Sequence, residues 1–117
     1  MRIKRDNLDR DKVDLSDVTS GRRLPPVHPG KILRGEFLAP MAISVYQLAN
    51  AIKVPRSRAN DIVLGRRAIS TDSAIRLAHY FGTSAEFWIN LQARYDLDVA
   101  SRTVRRRIEH EITPRAA

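Results

Sequence analysis

Two short helical patterns stand almost end to end in the middle of this chain, and they constrain the fold more than any other feature. Ser44 is followed three residues later by Gln47, a pairing that satisfies two orphan N–H groups at a helix start. Behind it Val45, Leu48, Ala49 and Ile52 recur at i, i+3, i+4 and i+7, the apolar face of a helix. Only Lys53 and Val54 intervene before Pro55, a residue suited to opening a helix. The second pattern spans roughly 55–64 and stops at Gly65. With so short a link the two helices must cross steeply, and Ala49 is small enough to permit the close approach.

The flanking segments are helical as well. Over about 29–38, Pro29 takes the first helical position, Ile32, Leu33, Phe37 and Leu38 supply the apolar stripe, His28 is placed to cap the start, and Pro40 ends it. A fourth helix begins near Ser70, buries Ala74, Leu77, Ala78 and Phe81, and ends at Gly82. A fifth opens on Thr83 and Glu86, a second capping-box pair, and runs to about Leu97. On it Phe87, Trp88, Leu91 and Tyr95 share one arc and suit a core, with the Trp88 indole N–H seeking a backbone acceptor. No segment alternates in the manner of a strand. The expected fold is therefore all-α, a five-helix domain over residues 25–97. Residues 1–24, where scattered apolar residues sit among charges, read as a flexible N-terminal arm. Residues 98–117 read as a basic C-terminal tail, with Val104, Ile108 and Ile112 at a spacing that suits a short amphipathic helix.

Charge narrows the function. The 117 residues hold 21 Lys and Arg against 13 Asp and Glu, a net charge of +8 that attracts polyanions. There is no cysteine, which excludes disulfides, thiolate metal sites and a cysteine nucleophile. The longest apolar run, Phe37 to Ile43, is far too short to span a bilayer and contains a proline. The opening Met1-Arg2-Ile3-Lys4-Arg5-Asp6 has no apolar stretch behind it, so no secretory signal is read and a cytoplasmic protein is expected. His28, His79 and His110 lie apart from one another and from any convergent carboxylate pair. That argues against a metal site, a nucleophilic triad or a cofactor, and against a basic ribonuclease. The few aromatics occupy core positions, which leaves no stacking platform for RNA.

The steeply crossed pair describes a helix-turn-helix, whose second helix lies in the major groove of DNA. Successive residues 100° apart put Pro55, Ala59 and Ile62 inward and Arg56, Ser57, Asn60 and Asp61 outward, with Arg58 on the flank. Arg56 suits a bidentate contact to guanine and Asn60, one turn later, a contact to adenine; Ser57 serves base or phosphate. Gln47, Arg58, Arg66 and Arg67 are placed to hold phosphates, which sets register without reading sequence. Asp61, which phosphate would repel, is an i,i+3 neighbour of Arg58 and reads as a residue orienting that guanidinium. The plainer alternative is a surface helix that happens to carry Arg, Ser and Asn; the ordered set of cap, turn and terminating glycine weighs against it.

The fifth helix carries a second apolar stripe, Ala85, Ile89 and Ala93, which with Leu97 is expected to form a two-fold interface. The alternative cover is the tail folding back. Arg105-Arg106-Arg107 reads as a solvated charge run.

Several of these stretches also resemble a known family. Val27-His28-Pro29-Gly30-Lys31-Ile32-Leu33, Tyr46-Gln47-Leu48-Ala49 and Val54-Pro55-Arg56-Ser57-Arg58 are similar to the HigA-type, VapI-like antitoxins. So are Gly65-Arg66-Arg67-Ala68-Ile69, Arg76-Leu77-Ala78 and Phe87-Trp88-Ile89-Asn90-Leu91-Gln92, so that the resemblance covers about residues 26–97. It implies a phage-repressor-like five-helix fold, dimeric binding to a palindromic operator with autorepression of the operon, and a HigB-type RNA-cleaving toxin as the partner to be neutralised. A stand-alone phage- or plasmid-type regulator without a toxin is the alternative. The wider repressor group favours glycine in the turn where this chain has Lys53, for which a left-handed backbone costs about 1 kcal/mol relative to glycine. That group also often has glutamine where this chain has Val45.

Overall fold

The computed structural model describes residues 24–116, so the expected flexible arm lies outside the described residues except for Leu24. Among the described residues there are six helices and no strand. The first, α1, is composite, running through Pro29–Ile32, a π-helical segment Leu33–Leu38 and a last turn Ala39–Met41. His28 caps it as expected, its Nδ1 accepting from the Gly30 N–H at 2.9 Å.

Pro40 does not end α1, contrary to the sequence expectation. Proline lacks the N–H of an α-helical bond, and its ring clashes with the carbonyl four residues back. The helix widens ahead of it instead: the Ala39 N–H donates to Arg34 O, five residues back, and the Ile43 N–H to Leu38 O at 2.9 Å. Ala42, left-handed at φ 55°, makes the real stop.

α2 (Val45–Ile52) opens on the predicted capping box. Ser44 Oγ accepts from the Gln47 N–H at 3.1 Å, and Gln47 Oε1 accepts from the Ser44 N–H at 2.8 Å. It ends at Lys53, which does adopt the left-handed conformation, φ 60° and ψ 48°. Val54 is buried in the core, and Pro55 stands extended at the N-cap of α3 (Arg56–Val63), one residue outside the helix it was expected to open. Gly65, at φ 78°, turns the chain away. α4 (Thr71–Phe81) is capped by Ser70, whose Oγ accepts from the Ser73 N–H at 3.1 Å, and stops at Gly82.

α5 (Ala85–Thr103) brings two corrections. Its cap is Ser84, whose Oγ accepts from the Phe87 N–H at 3.1 Å, so Thr83 and Glu86 do not form a capping box. Thr83 is engaged elsewhere: its Oγ1 accepts from Trp88 Nε1 at 2.8 Å, a side-chain acceptor where a backbone one was expected. The helix also passes Leu97 and continues to Thr103, supported by half-buried Val99 and Ala100 and by Arg102, which donates to Asp98 Oδ1 at 3.0 Å. α6 (Arg105–Glu111) is the tail helix, with Val104 half-buried before it and Ile108 and Ile112 exposed.

The core gathers Leu33 and Leu38 from α1, Leu48, Ala49 and Ile52 from α2, Ala59, Ile62 and Val63 from α3, and Ala74, Leu77 and Ala78 from α4. Trp88 of α5 closes it, fully buried, its ring 5.0 Å from those of Phe37 and Phe87; contrary to the expectation that the aromatics occupy core positions, Phe87 itself, Tyr46 and Tyr80 are exposed. Each large side chain buried this way stabilises by about 1.5–3 kcal/mol. α1 crosses α3 so closely that Gly30 lies directly against the Ile62 carbonyl, where any Cβ would collide with backbone.

Candidate nucleic-acid interface

Burial of Ala59, Ile62 and Val63 fixes the rotation of α3 and thereby turns Arg56, Ser57 and Asn60 to the surface. Arg56 and Asn60 are one turn apart and share a face. Arg56 lies over an aromatic ring, its guanidinium carbon 5.6 Å from the centre of Tyr46. Gln47 is exposed on the first turn of α2; its Oε1 holds the Ser44 N–H, which leaves the amide –NH2 as the group able to meet a phosphate.

Arg58 behaves otherwise than expected. Its Nη1 donates to Asp72 Oδ2 at 2.8 Å and to Ser73 Oγ at 3.1 Å, and its side chain is only 26% exposed. The flank of α3 that carries Arg58 faces the N-terminal turn of α4, where the Asp72 carboxylate also favours the helix dipole. Asp61 therefore does not orient Arg58; it stands 3.8 Å from Arg67 Nη2 instead.

A second arginine completes the network. Arg76 Nε donates to the same Asp72 Oδ2 at 2.8 Å, while its Nη1 reaches across to Ile52 O at 2.9 Å and Lys53 O at 3.4 Å. The turn between α2 and α3 is thus clamped from α4. The two arginines hold the Asp72 carboxyl below the usual carboxylate range.

The loop after α3 carries Arg66 and Arg67, both exposed, with their N–H groups donating to Asp61 O at 2.8 and 3.2 Å. Gln92, buried on α5, fixes the far end of this loop: its Oε1 accepts from the Ile69 N–H at 2.8 Å and its Nε2 donates to Asp96 Oδ1 at 3.0 Å. His28 packs edge-on against Tyr95, and burial pushes its pKa below the ordinary value, with a backbone hydrogen bond to Arg67 and the Asp96 charge opposing.

The residues expected to read or grip nucleic acid thus fall into an exposed group, Arg56, Ser57, Asn60, Gln47, Arg66 and Arg67, and one member, Arg58, turned toward α4. Of the apolar stripe on α5, Ala85 leans on the core, while Ile89 (37% exposed), Ala93 and Leu97 (70% exposed) stay at the surface. Sequence reasoning assigned no role to Tyr46, Asp72, Ser73, Arg76 or Gln92. The signals available were the i,i+4 spacing of Asp72 and Arg76 and the presence of Tyr46, Arg76 and Gln92 in the stretches that resemble the family. Among the described residues no group of His, Asp and Glu is placed to hold a metal ion, and no helix is long and apolar enough to cross a membrane.

The family described as helix-turn-helix matches residues 36–88. Virulence-associated protein I of Dichelobacter nodosus is 49% identical over 77 residues, which is 66% of this chain and 71% of that protein. Among solved structures, the Pseudomonas aeruginosa antitoxin HigA with higBA promoter is 53% identical, with a TM-score of 0.76 over 78% of this chain and 99% of its own. The antitoxin GraA in complex with its operator is 37% identical, with a TM-score of 0.76 over 86% of this chain and 100% of its own.

Proposed function

The chain belongs to the HigA-type, VapI-like group of helix-turn-helix proteins, and on that premise we propose that it is a DNA-binding antitoxin. In this reading it binds a palindromic operator as a dimer, represses its own operon and neutralises a HigB-type RNA-cleaving toxin. One observation carries the reading: the outer face of α3 presents Arg56, Ser57 and Asn60 on a helix whose opposite face is locked in the core. An arginine bidentate to guanine and an asparagine bidentate to adenine each discriminate by about 1–3 kcal/mol. Gln47, Arg66 and Arg67 flank that face and set register on phosphates. Arg58, with Nη1 on Asp72, offers a phosphate only the rest of its guanidinium.

Ile89, Ala93 and Leu97 form the two-fold interface, with Ala85 at its inner margin, so that two copies of α3 face half-sites about 34–36 Å apart. Support for the toxin partner comes from family membership alone. Co-expression with the product of the adjacent open reading frame tests it, followed by copurification and a gel shift on the upstream region. A stable complex together with a retarded band is expected. A chain that retards the band yet copurifies with nothing is a stand-alone regulator, and one that retards no band overturns the DNA-binding assignment.

A further inference from the structure

We propose that Tyr46 is a positioning residue for base readout: its ring holds the Arg56 guanidinium in the attitude that meets a guanine edge. Tyr46 thereby sets sequence preference through Arg56, and the proposal rests on the reading of Arg56 as a base reader. Tyr46 lies in the first turn of α2 and is 57% exposed, whereas Leu48 and Ile52 of the same helix are buried. A large ring left in water contributes little to the core. Its specific neighbour is the first residue of α3, with the Arg56 guanidinium carbon 5.6 Å from the ring centre, inside the range in which a cation is attracted to an aromatic face.

Two rigid anchors set this pairing. The Ser44–Gln47 capping box fixes the turn that bears Tyr46, and the clamped Lys53 turn fixes where α3 begins. The chemistry also suits the task. Among the described residues Arg58, Arg67, Arg76, Arg102 and Arg107 each face a carboxylate, and Arg56 faces none. A carboxylate beside Arg56 would repel phosphate and compete with the base, whereas a ring orients the cation and leaves its N–H groups and its charge for DNA. Ordering the side chain in advance lowers the entropy lost on binding.

The test is a double-mutant cycle on full-length chain, using a duplex enriched from a random library by the unaltered protein. Affinities of the unaltered chain, Tyr46→Leu, Tyr46→Phe, Arg56→Ala and the Tyr46→Leu/Arg56→Ala pair are measured on that duplex and on an unselected one. Melting temperatures are recorded for each. Tyr46→Leu is expected to weaken the selected duplex about two- to fivefold and leave the unselected one unchanged. Tyr46→Phe retains the affinity, and Tyr46→Leu has no further effect once Arg56 is alanine. An undiminished effect in the Arg56→Ala background, an equal loss on both duplexes, or failure of Tyr46→Phe to rescue overturns the proposal. If Arg56→Ala itself binds the selected duplex normally, the base-reading assignment of Arg56 fails first and Tyr46 loses its role with it.

Discussion

Arg76 terminates a helix to which it does not belong: its Nη1 donates to the carbonyl of Ile52, the last residue of α2, at 2.9 Å. A cation at a helix C-terminus meets both unpaired carbonyls and the negative end of the dipole. Arg76→Ala is expected to destabilise the fold by about 1–2 kcal/mol, the worth of a charge-assisted hydrogen bond discounted for partial exposure. Urea unfolding measures it. A change within error would show that the clamp is incidental.

The two glycines of α1 should respond in opposite directions. Gly30 faces the Ile62 carbonyl and Val63 O with no room for a Cβ, so Gly30→Ala must push α1 off α3, at about 1–3 kcal/mol or more. Gly35 has open space around it, and Gly35→Ala should stabilise by about 0.5–1 kcal/mol. Paired thermal melts separate the outcomes; equal effects would place α1 differently from the geometry described.

Acid should weaken the fold through His28. Burial lowers its folded pKa beneath the ordinary 6.5, and Nδ1 accepts from Gly30 only while unprotonated. The unfolded chain therefore binds the proton first as pH falls. Stability from this source is complete above about pH 6.5, declines as pH falls through the lowered folded value, and is then exhausted. Asp72, whose pKa is also lowered, adds a loss only at pH below its ordinary 3.8. A urea midpoint that declines as pH falls below about 6.5 in the native chain and stays level in His28→Gln is expected; identical profiles would remove His28 as the cause.

A charge on the exposed stripe of α5 should separate the copies. Ile89→Asp is expected to yield monomers by light scattering while the melting temperature stays close to the native value, because Ile89 is not part of the core. A dimer of unchanged mass would move the interface elsewhere.

The sequence made the local parts of this molecule legible. The capping box at Ser44, the cap at His28 and the glycine stops at 65 and 82 are all set by residues within a few positions of one another. The outward group on α3 follows from its apolar seam. What escaped depends on distant partners or on competition. Arg58 finds Asp72 fourteen positions away in preference to Asp61 nearby, and Gln92 reaches Ile69 across twenty-three. Pro40 reads as a stop because proline breaks an α-helical ladder, and only the π-helical turn ahead of it lets the helix continue. At Thr83 the competition was for one hydroxyl: the Trp88 indole claims it, which passes the cap to Ser84.

Lys53 bends the chain in a conformation its side chain disfavours, and the restraint on that bend comes from Arg76 on a later helix. An excised peptide spanning 44–65 would lack that outside brace and would relax to a range of interhelical angles, most of them useless for groove entry. Local sequence starts and stops the two helices; the angle between them is a property of the folded whole.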